Sequence, residues 1–243
     1  MLTVRNLSAA YGKRAVLEGV DIDVSAGEIL AILGRNGSGK STLLKAIAGI
    51  VPAAADRLEF DGRDITRWPI HRRAAAGVAL LRQTQAVFPS LSVGQNLGLT
   101  SGEDGPSPGL DDPLFATLYG RLGVRAGLLS GGQQRLLGLA MVLSRRPRLL
   151  LLDEPAAGLA PQLAKEVFTL LTALAHRLRI GVFMVEQNVV LAASIANRLL
   201  HMEGGRPVSW QRPSLDGATM EDRLNHQGTS SAAPEGQEEY HDP

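Results

Sequence analysis

Residues 28–50 read EILAILGRNGSGKSTLLKAIAGI, and this stretch decides the fold. Glu28 to Leu33 is a short apolar run of the kind buried in a mostly parallel sheet. It runs into a glycine-rich loop, and Ser41 to Ile50 continues with helical spacing. The loop, Gly34-Arg35-Asn36-Gly37-Ser38-Gly39-Lys40-Ser41, fits G-x-x-x-x-G-K-[S/T] at every position. Its place between a strand and a helix is the context that gives this pattern meaning. Glycines let backbone N–H groups converge on phosphate oxygens, and a helix N-terminus adds a favourable dipole. Lys40 places a point charge at the β- and γ-phosphates of a nucleotide, and Ser41 offers a hydroxyl to Mg²⁺. These eight residues and the adjoining Thr42 are therefore candidates for binding ATP.

The pattern continues on both sides of the loop. Leu2, Val4 and Leu7, then Val16-Leu17, Val20, Ile22 and Val24, predict strands up to the turn at Ala26-Gly27. Val78 to Leu81, Leu149 to Leu152 and Gly181 to Val185 are three more candidates for buried strands. Strands separated by helical stretches imply an α/β sheet built by crossovers. Ser101 to Pro113 (SGEDGPSPGLDDP) reads as a loop or a linker within a helical insertion. Gln211 to Pro243 is polar, and its last 20 or so residues read as disordered.

Composition sets the outer bounds. The chain has 243 residues, 44% of them hydrophobic, enough for one sizeable core or two closely packed lobes. With no cysteine, disulfides and thiolate metal sites are excluded. No basic segment precedes an apolar one at Met1, so no secretory signal is expected. The leucine run 149–152 is far short of the roughly 20 residues that span a bilayer. From Asp216 onward seven acids face one arginine, leaving about +7 on the rest of a chain whose net charge is +1. Such an excess suits a phosphate-binding core and is weak support for nucleic acid, which is not expected as a partner.

Two further segments carry chemistry. The leucine run ends in Asp153-Glu154. A carboxylate at the end of a buried strand beside a phosphate loop can hold the Mg²⁺ shell, and the next one can polarise an attacking water. Leu129-Ser130-Gly131-Gly132-Gln133 precedes Asp153 and opens a helical stretch expected over Gln134 to Ser144. A serine and two glycines at a helix start read as an anion-binding nest. One ATP does not need two such sites, so the second would serve another nucleotide.

With phosphate loop, LSGGQ and acidic strand in this order, the sequence resembles the nucleotide-binding subunits of ABC transporters over about Leu2 to Val208. The resemblance implies an α/β P-loop ABC ATPase. It would have a RecA-like α/β core, an N-terminal antiparallel β subdomain and an inserted α-helical subdomain at about 84–145. That domain would span 1–210, followed by the polar tail 211–243. It implies that Tyr11 stacks on adenine and that Gln83, rather than Gln85, reaches the metal or the water. Ser41, Gln83 and Asp153 would be the Mg²⁺ residues, Asp153 through water. Glu154, Gln187 and Lys40 would be catalytic, with ATP and Mg²⁺ as cofactors. Ser130, Gly131, Gly132 and Gln133 would act on ATP held by a second ABC ATPase subunit paired head to tail. Permease subunits would place the protein at the cytoplasmic face of the membrane, with a solute-binding protein as an indirect partner.

The departures from the family pattern narrow the reading. Where most members carry S-x-G-L-D after the proline, this chain has Ala156-Ala157-Gly158-Leu159-Ala160-Pro161. Where the family usually has a histidine, it reads Val185-Glu186-Gln187-Asn188. Gln187 can donate to a γ-phosphate oxygen but cannot carry a positive charge or relay a proton. Both features resemble the ATPases of branched-chain amino-acid importers and of urea and amide importers, in which two different ATPases usually pair. An exporter ATPase and a weakly catalytic regulatory ABC ATPase are the alternatives.

Overall fold

An antiparallel hairpin opens the chain, β1 (Leu2–Tyr11) pairing with β2 (Arg14–Val24) from Leu2↔Val24 to Tyr11↔Arg14. The computed structural model describes residues 1–84, 86–100 and 110–209. By its contacts the chain divides into Met1–Trp210 and Gln211–Pro243. The expected disordered tail lies outside the described residues, as do Gln85 and residues 101–109 of the glycine- and proline-rich loop.

After the hairpin come β3 (Ile29–Leu33) and α1 (Lys40–Ala48), which ends at Gly49 in the left-handed conformation that glycine adopts without strain. Short strands β4 (Ala53–Ala54), β5 (Arg57–Phe60) and β6 (Arg63–Asp64) return to the hairpin and complete a sheet of order β2-β1-β5-β6, with β4 also on β1. The chain continues through α2 (Ile70–Ala75), β7 (Val78–Leu81), α3 (Val93–Gly98), α4 (Ala116–Tyr119) and α5 (Gly131–Leu143). It then alternates: β8 (Leu149–Asp153), α6 (Pro161–Leu178), β9 (Gly181–Val185), α7 (Val189–Ile195), and a last hairpin of β10 (Arg198–Glu203) and β11 (Arg206–Ser209).

The second sheet has the order β11-β10-β3-β9-β8-β7 and is parallel from β10 to β7. All four apolar runs read as buried strands in the sequence belong to it. They are continuous because both faces of the sheet are covered. Ile29, Ala31, Leu33, Leu150, Leu152, Val182 and Met184 face a core shared with α5 and α6. Leu30, Ile32, Leu149, Leu151, Phe183 and Val185 face a second core shared with α1 and the antiparallel sheet. A fully buried aliphatic side chain of this size contributes about 1.5–3 kcal/mol, so strand β8 alone anchors both cores. The α/β architecture, with an antiparallel sheet at the N-terminus and a helical region between β7 and β8, is the one the resemblance implies.

One boundary departs from expectation. Helix α5 begins at Gly131, three residues before the expected Gln134, because Ser130 caps it. The Ser130 hydroxyl accepts from the Gln133 N–H at 3.3 Å, and the Gln133 side chain accepts from the Ser130 N–H at 3.1 Å. This reciprocal box satisfies helix-terminal donors well enough to hold two glycines in the first turn. Neither glycine has positive φ. The pair therefore forms the first turn of the helix itself, directly after its serine cap.

The segment leading into α3 is closed on that helix by one polar side chain. Asn96 on α3 is fully buried; it accepts from the Phe88 N–H at 2.8 Å and donates to the Phe88 and Ser92 carbonyls at 3.0 and 2.9 Å. Asn96→Ala should lower the unfolding free energy by about 3 kcal/mol, since each buried group left unsatisfied costs about 1–3 kcal/mol. Urea denaturation measures this, and a loss below about 1 kcal/mol would mean that water or a shifted loop satisfies these groups.

Candidate nucleotide-binding and hydrolysis site

The phosphate loop joins β3 to α1 and depends on glycine at specific places. Gly34 has φ 149, and a Cβ there would meet the Met202 carbonyl at 2.8 Å. At Gly37, φ 81, the Cβ position faces open space. Lys40 is buried at the start of α1 and donates to the Gly34 and Arg35 carbonyls at 2.7 and 2.9 Å. Burial lowers its ammonium below the ordinary value, and the charges of Glu154 and Asp153 oppose that shift. The Ser38 hydroxyl is buried with no hydrogen-bond partner. An orphaned donor inside a ring of glycine backbone fits a phosphate oxygen, because buried polar groups otherwise find partners.

At the end of β8 stand the two carboxylates. Ser41 donates its hydroxyl to Asp153 Oδ1 at 2.8 Å. A hydroxyl and a carboxylate side by side are hard oxygen donors that fit Mg²⁺ completed by phosphate and water. Glu154 follows with φ 50, a left-handed conformation unusual for a side chain of its size. Its carboxylate accepts from two amides: Gln83 Nε2 at 2.6 Å and Gln187 Nε2 at 2.5 Å. Gln187 also donates to Asn36 Oδ1 at 3.0 Å, which closes a chain from the acid back to the phosphate loop.

A cleft of about 540 Å³ unites these groups: Tyr11, Lys40, Ser41, Gln83, Glu154 and Gln187 all line it. Asn36, Gly37, Gly39 and Thr42 line it too, and Arg35 and Ser38 border the adjoining cleft. Tyr11 is half exposed there, which leaves a ring face open for stacking. Ser130, Gly131, Gly132 and Gln133 are not among its walls. They sit at the head of α5, where the Cβ position of Gly132 faces Leu159 and Leu163 at 3.5 Å.

Three residues of this region were not singled out as site residues from sequence. Arg14 and Val16 line the cleft beside Tyr11. The two-residue turn Gly12-Lys13 between Tyr11 and Arg14 is the signal that places both at one hairpin end. Glu186 is the third. It is buried, and its carboxylate accepts from the N–H groups of Ala156, Gln187 and Asn188 at 3.0, 3.1 and 3.4 Å. It ties the turn after Glu154 to the segment carrying Gln187. Its only sequence signal is a carboxylate directly after a fully apolar strand.

The ABC transporter family model matches residues 17–157. The chain is 36% identical over 213 residues to the high-affinity branched-chain amino acid transport ATP-binding protein BraG of Pseudomonas aeruginosa, covering 86% of this chain and 91% of that protein. It is also 36% identical to the probable branched-chain amino acid transport ATP-binding protein LivF of Archaeoglobus fulgidus, covering 85% and 89%. Among solved structures, a nucleotide-free ATP-binding cassette from an ABC transporter superposes with a TM-score of 0.75 at 26% identity, over 95% of this chain and 96% of that one.

Glu186 gives the site a pH signature. Burial raises its carboxyl above the ordinary value of 4.5, and the three N–H donors pull it partly back. The native chain then holds this proton more tightly than the unfolded chain. The group's contribution to stability is therefore full at low pH and falls as pH rises from about 4.5 through the raised native value. Glu186→Gln removes that slope. Urea unfolding of both proteins across this range should show wild type losing stability relative to the variant as pH rises, and a constant difference would refute the assignment.

Proposed function

The chain belongs to the ABC transporter family as an ATP-binding subunit whose ATP hydrolysis is coupled to transport, and we propose that it powers an importer of branched-chain amino acids or a related small polar solute. The observation that carries the catalytic part is the Glu154 carboxylate, held between Gln83 and Gln187 beside the Ser41–Asp153 pair.

In this reading the loop from Gly34 to Ser41 wraps the nucleotide phosphates with its N–H groups and the Ser38 hydroxyl. Lys40 brings its charge to the β- and γ-phosphates, Thr42 extends the cradle into α1, and Tyr11 stacks on the adenine. Ser41, Gln83 and Asp153 would hold Mg²⁺, which neutralises phosphate charge when bound. Glu154 accepts a proton from the attacking water. Its two amide donors fix the position of the carboxylate at the wall of the cleft. Gln187 would donate to the γ-phosphate as a neutral group by exchanging its bond to Asn36 for a phosphate oxygen, where most of the family uses histidine. Ser130 to Gln133 are not among the residues lining this cleft, which supports their acting on ATP bound by a second subunit.

The importer reading rests on the resemblance of VEQN and GLAP to such ATPases and on the two branched-chain relatives. A permease surface is supported by an apolar groove of about 490 Å³ between α2 and α5, bordered by Ile50, Ile70, Ala86, Met141 and Val142. Ile50 and Ile70 on its rim are exposed. Among the described residues no helix is long and apolar enough to cross a membrane, so membrane attachment at the cytoplasmic face would come through permease subunits. A different ABC ATPase is the preferred dimer partner, and a solute-binding protein would deliver the cargo.

Two measurements test this function. Glu154→Gln should bind ATP normally while turnover falls about 10²–10⁴-fold, the usual cost of losing a general base. Lys40→Ala should lose ATP affinity as well as hydrolysis. Near-wild-type turnover in either would overturn the site.

The composite site is tested by mixing. Gly132→Asp should bind ATP yet not hydrolyse it, because the added carboxylate repels the partner's phosphates. Combined with Lys40→Ala protein, it forms dimers in which one of the two sites has both halves intact, so partial activity should return. Zero activity at every ratio in dimers demonstrated by gel filtration would refute head-to-tail pairing.

A further inference from the structure

Arg135 lies on α5 just after the Ser130 capping box and is 7% exposed. A guanidinium has five N–H donors in a rigid fork. Here all five go to backbone carbonyls. Nη1 donates to Arg82 and Gln83 at 2.7 and 2.6 Å, Nη2 to Asp153 at 2.7 Å and to Glu154, and Nε to Pro155 at 3.4 Å. Among the described residues no carboxylate forms an ion pair with it, although Asp153, Glu186 and Glu154 lie near enough to favour its charge against burial.

The placement matters because of where the sheet stops. The β7–β8 ladder ends at Leu81↔Leu152. Beyond that rung the two chains part, one to carry Gln83 and the other to carry Asp153 and Glu154. The guanidinium replaces the missing rungs. It also grips the carbonyls of both Asp153 and Glu154, flanking the φ 50 conformation of Glu154. A non-glycine residue stays in that region only where its surroundings over-determine it.

We propose that Arg135 is a positioning residue for ATP hydrolysis, setting Gln83 and Glu154 relative to each other and tying both to the helix headed by Ser130. This inference rests on the proposed role of Glu154 as base. A lysine cannot reproduce it, because an ammonium is a point donor without a fork that spans two segments.

The test compares Arg135→Lys and Arg135→Met with wild type, each also combined with Glu154→Gln. Fluorescent-ATP titration, steady-state and single-turnover hydrolysis and thermal unfolding are measured. Both single variants should keep ATP affinity within about twofold while kcat falls roughly 10- to 100-fold, the scale of a misplaced catalytic group. In the Glu154→Gln background the same changes should cost little more, because residues that act as a unit are non-additive. An equal further loss in that background, a loss of affinity matching the loss of kcat, or failure of both variants to fold would overturn the proposal in favour of a purely structural arginine. Wild-type kcat in both Arg135 variants would overturn it as well. Near-wild-type turnover in Glu154→Gln alone would instead remove the base assignment, and this inference with it.

Discussion

Strand β8 is buried on both faces and hydrogen-bonded on both edges, and this constraint organises the molecule. Its backbone is committed to β7 and β9, and its leucines to two separate cores. No charged side chain can be accommodated along it without a large desolvation cost. Polar function can emerge only where the strand ends, at Asp153 and Glu154. The phosphate loop leaves the same sheet at the same end, after β3, because parallel strands point their carboxyl ends one way. The resulting crevice is where open α/β sheets bind ligands.

Gathering charge at that edge creates an electrostatic problem. Asp153, Glu154 and Glu186 are all buried within a short span, with Lys40 and Arg135 as buried cations nearby. Each is hydrogen-bonded: Asp153 to Ser41, Glu154 to two amides, Glu186 to three backbone N–H groups, and each cation to carbonyls. The acids and bases are held apart by neutral groups and do not collapse into direct salt bridges. That arrangement keeps the carboxylates available as acceptors in a site where a tightly paired ion would be spent.

What could be read from the sequence follows the same physics. Continuous apolar runs mark β3, β7, β8 and β9 because two-sided burial leaves no alternation to blur. Lys40, Ser41, Gln83, Glu154 and Gln187 line one cleft, with Asp153 hydrogen-bonded to Ser41; the loop and the acid pair are legible as motifs, whereas Gln83 and Gln187 are picked out only through the resemblance. The first turn of α5 is not legible, because glycines hide a helix start when a capping box compensates them. Strands β4 and β6 have two residues each, too few to show any period. The sequence also gives Arg135 no distinguishing mark: its partners are all main-chain carbonyls, and backbone acceptors leave no trace in side-chain identity.

The capping box at Ser130 has a consequence for how a second subunit would be met. Capping uses the lone pairs of the serine oxygen, which accept the Gln133 N–H. The hydroxyl proton is not consumed by that bond. One side chain can therefore lock the helix end and still present a donor to an incoming anion. Association would then recruit a group that is already oriented, with little rotamer entropy left to lose.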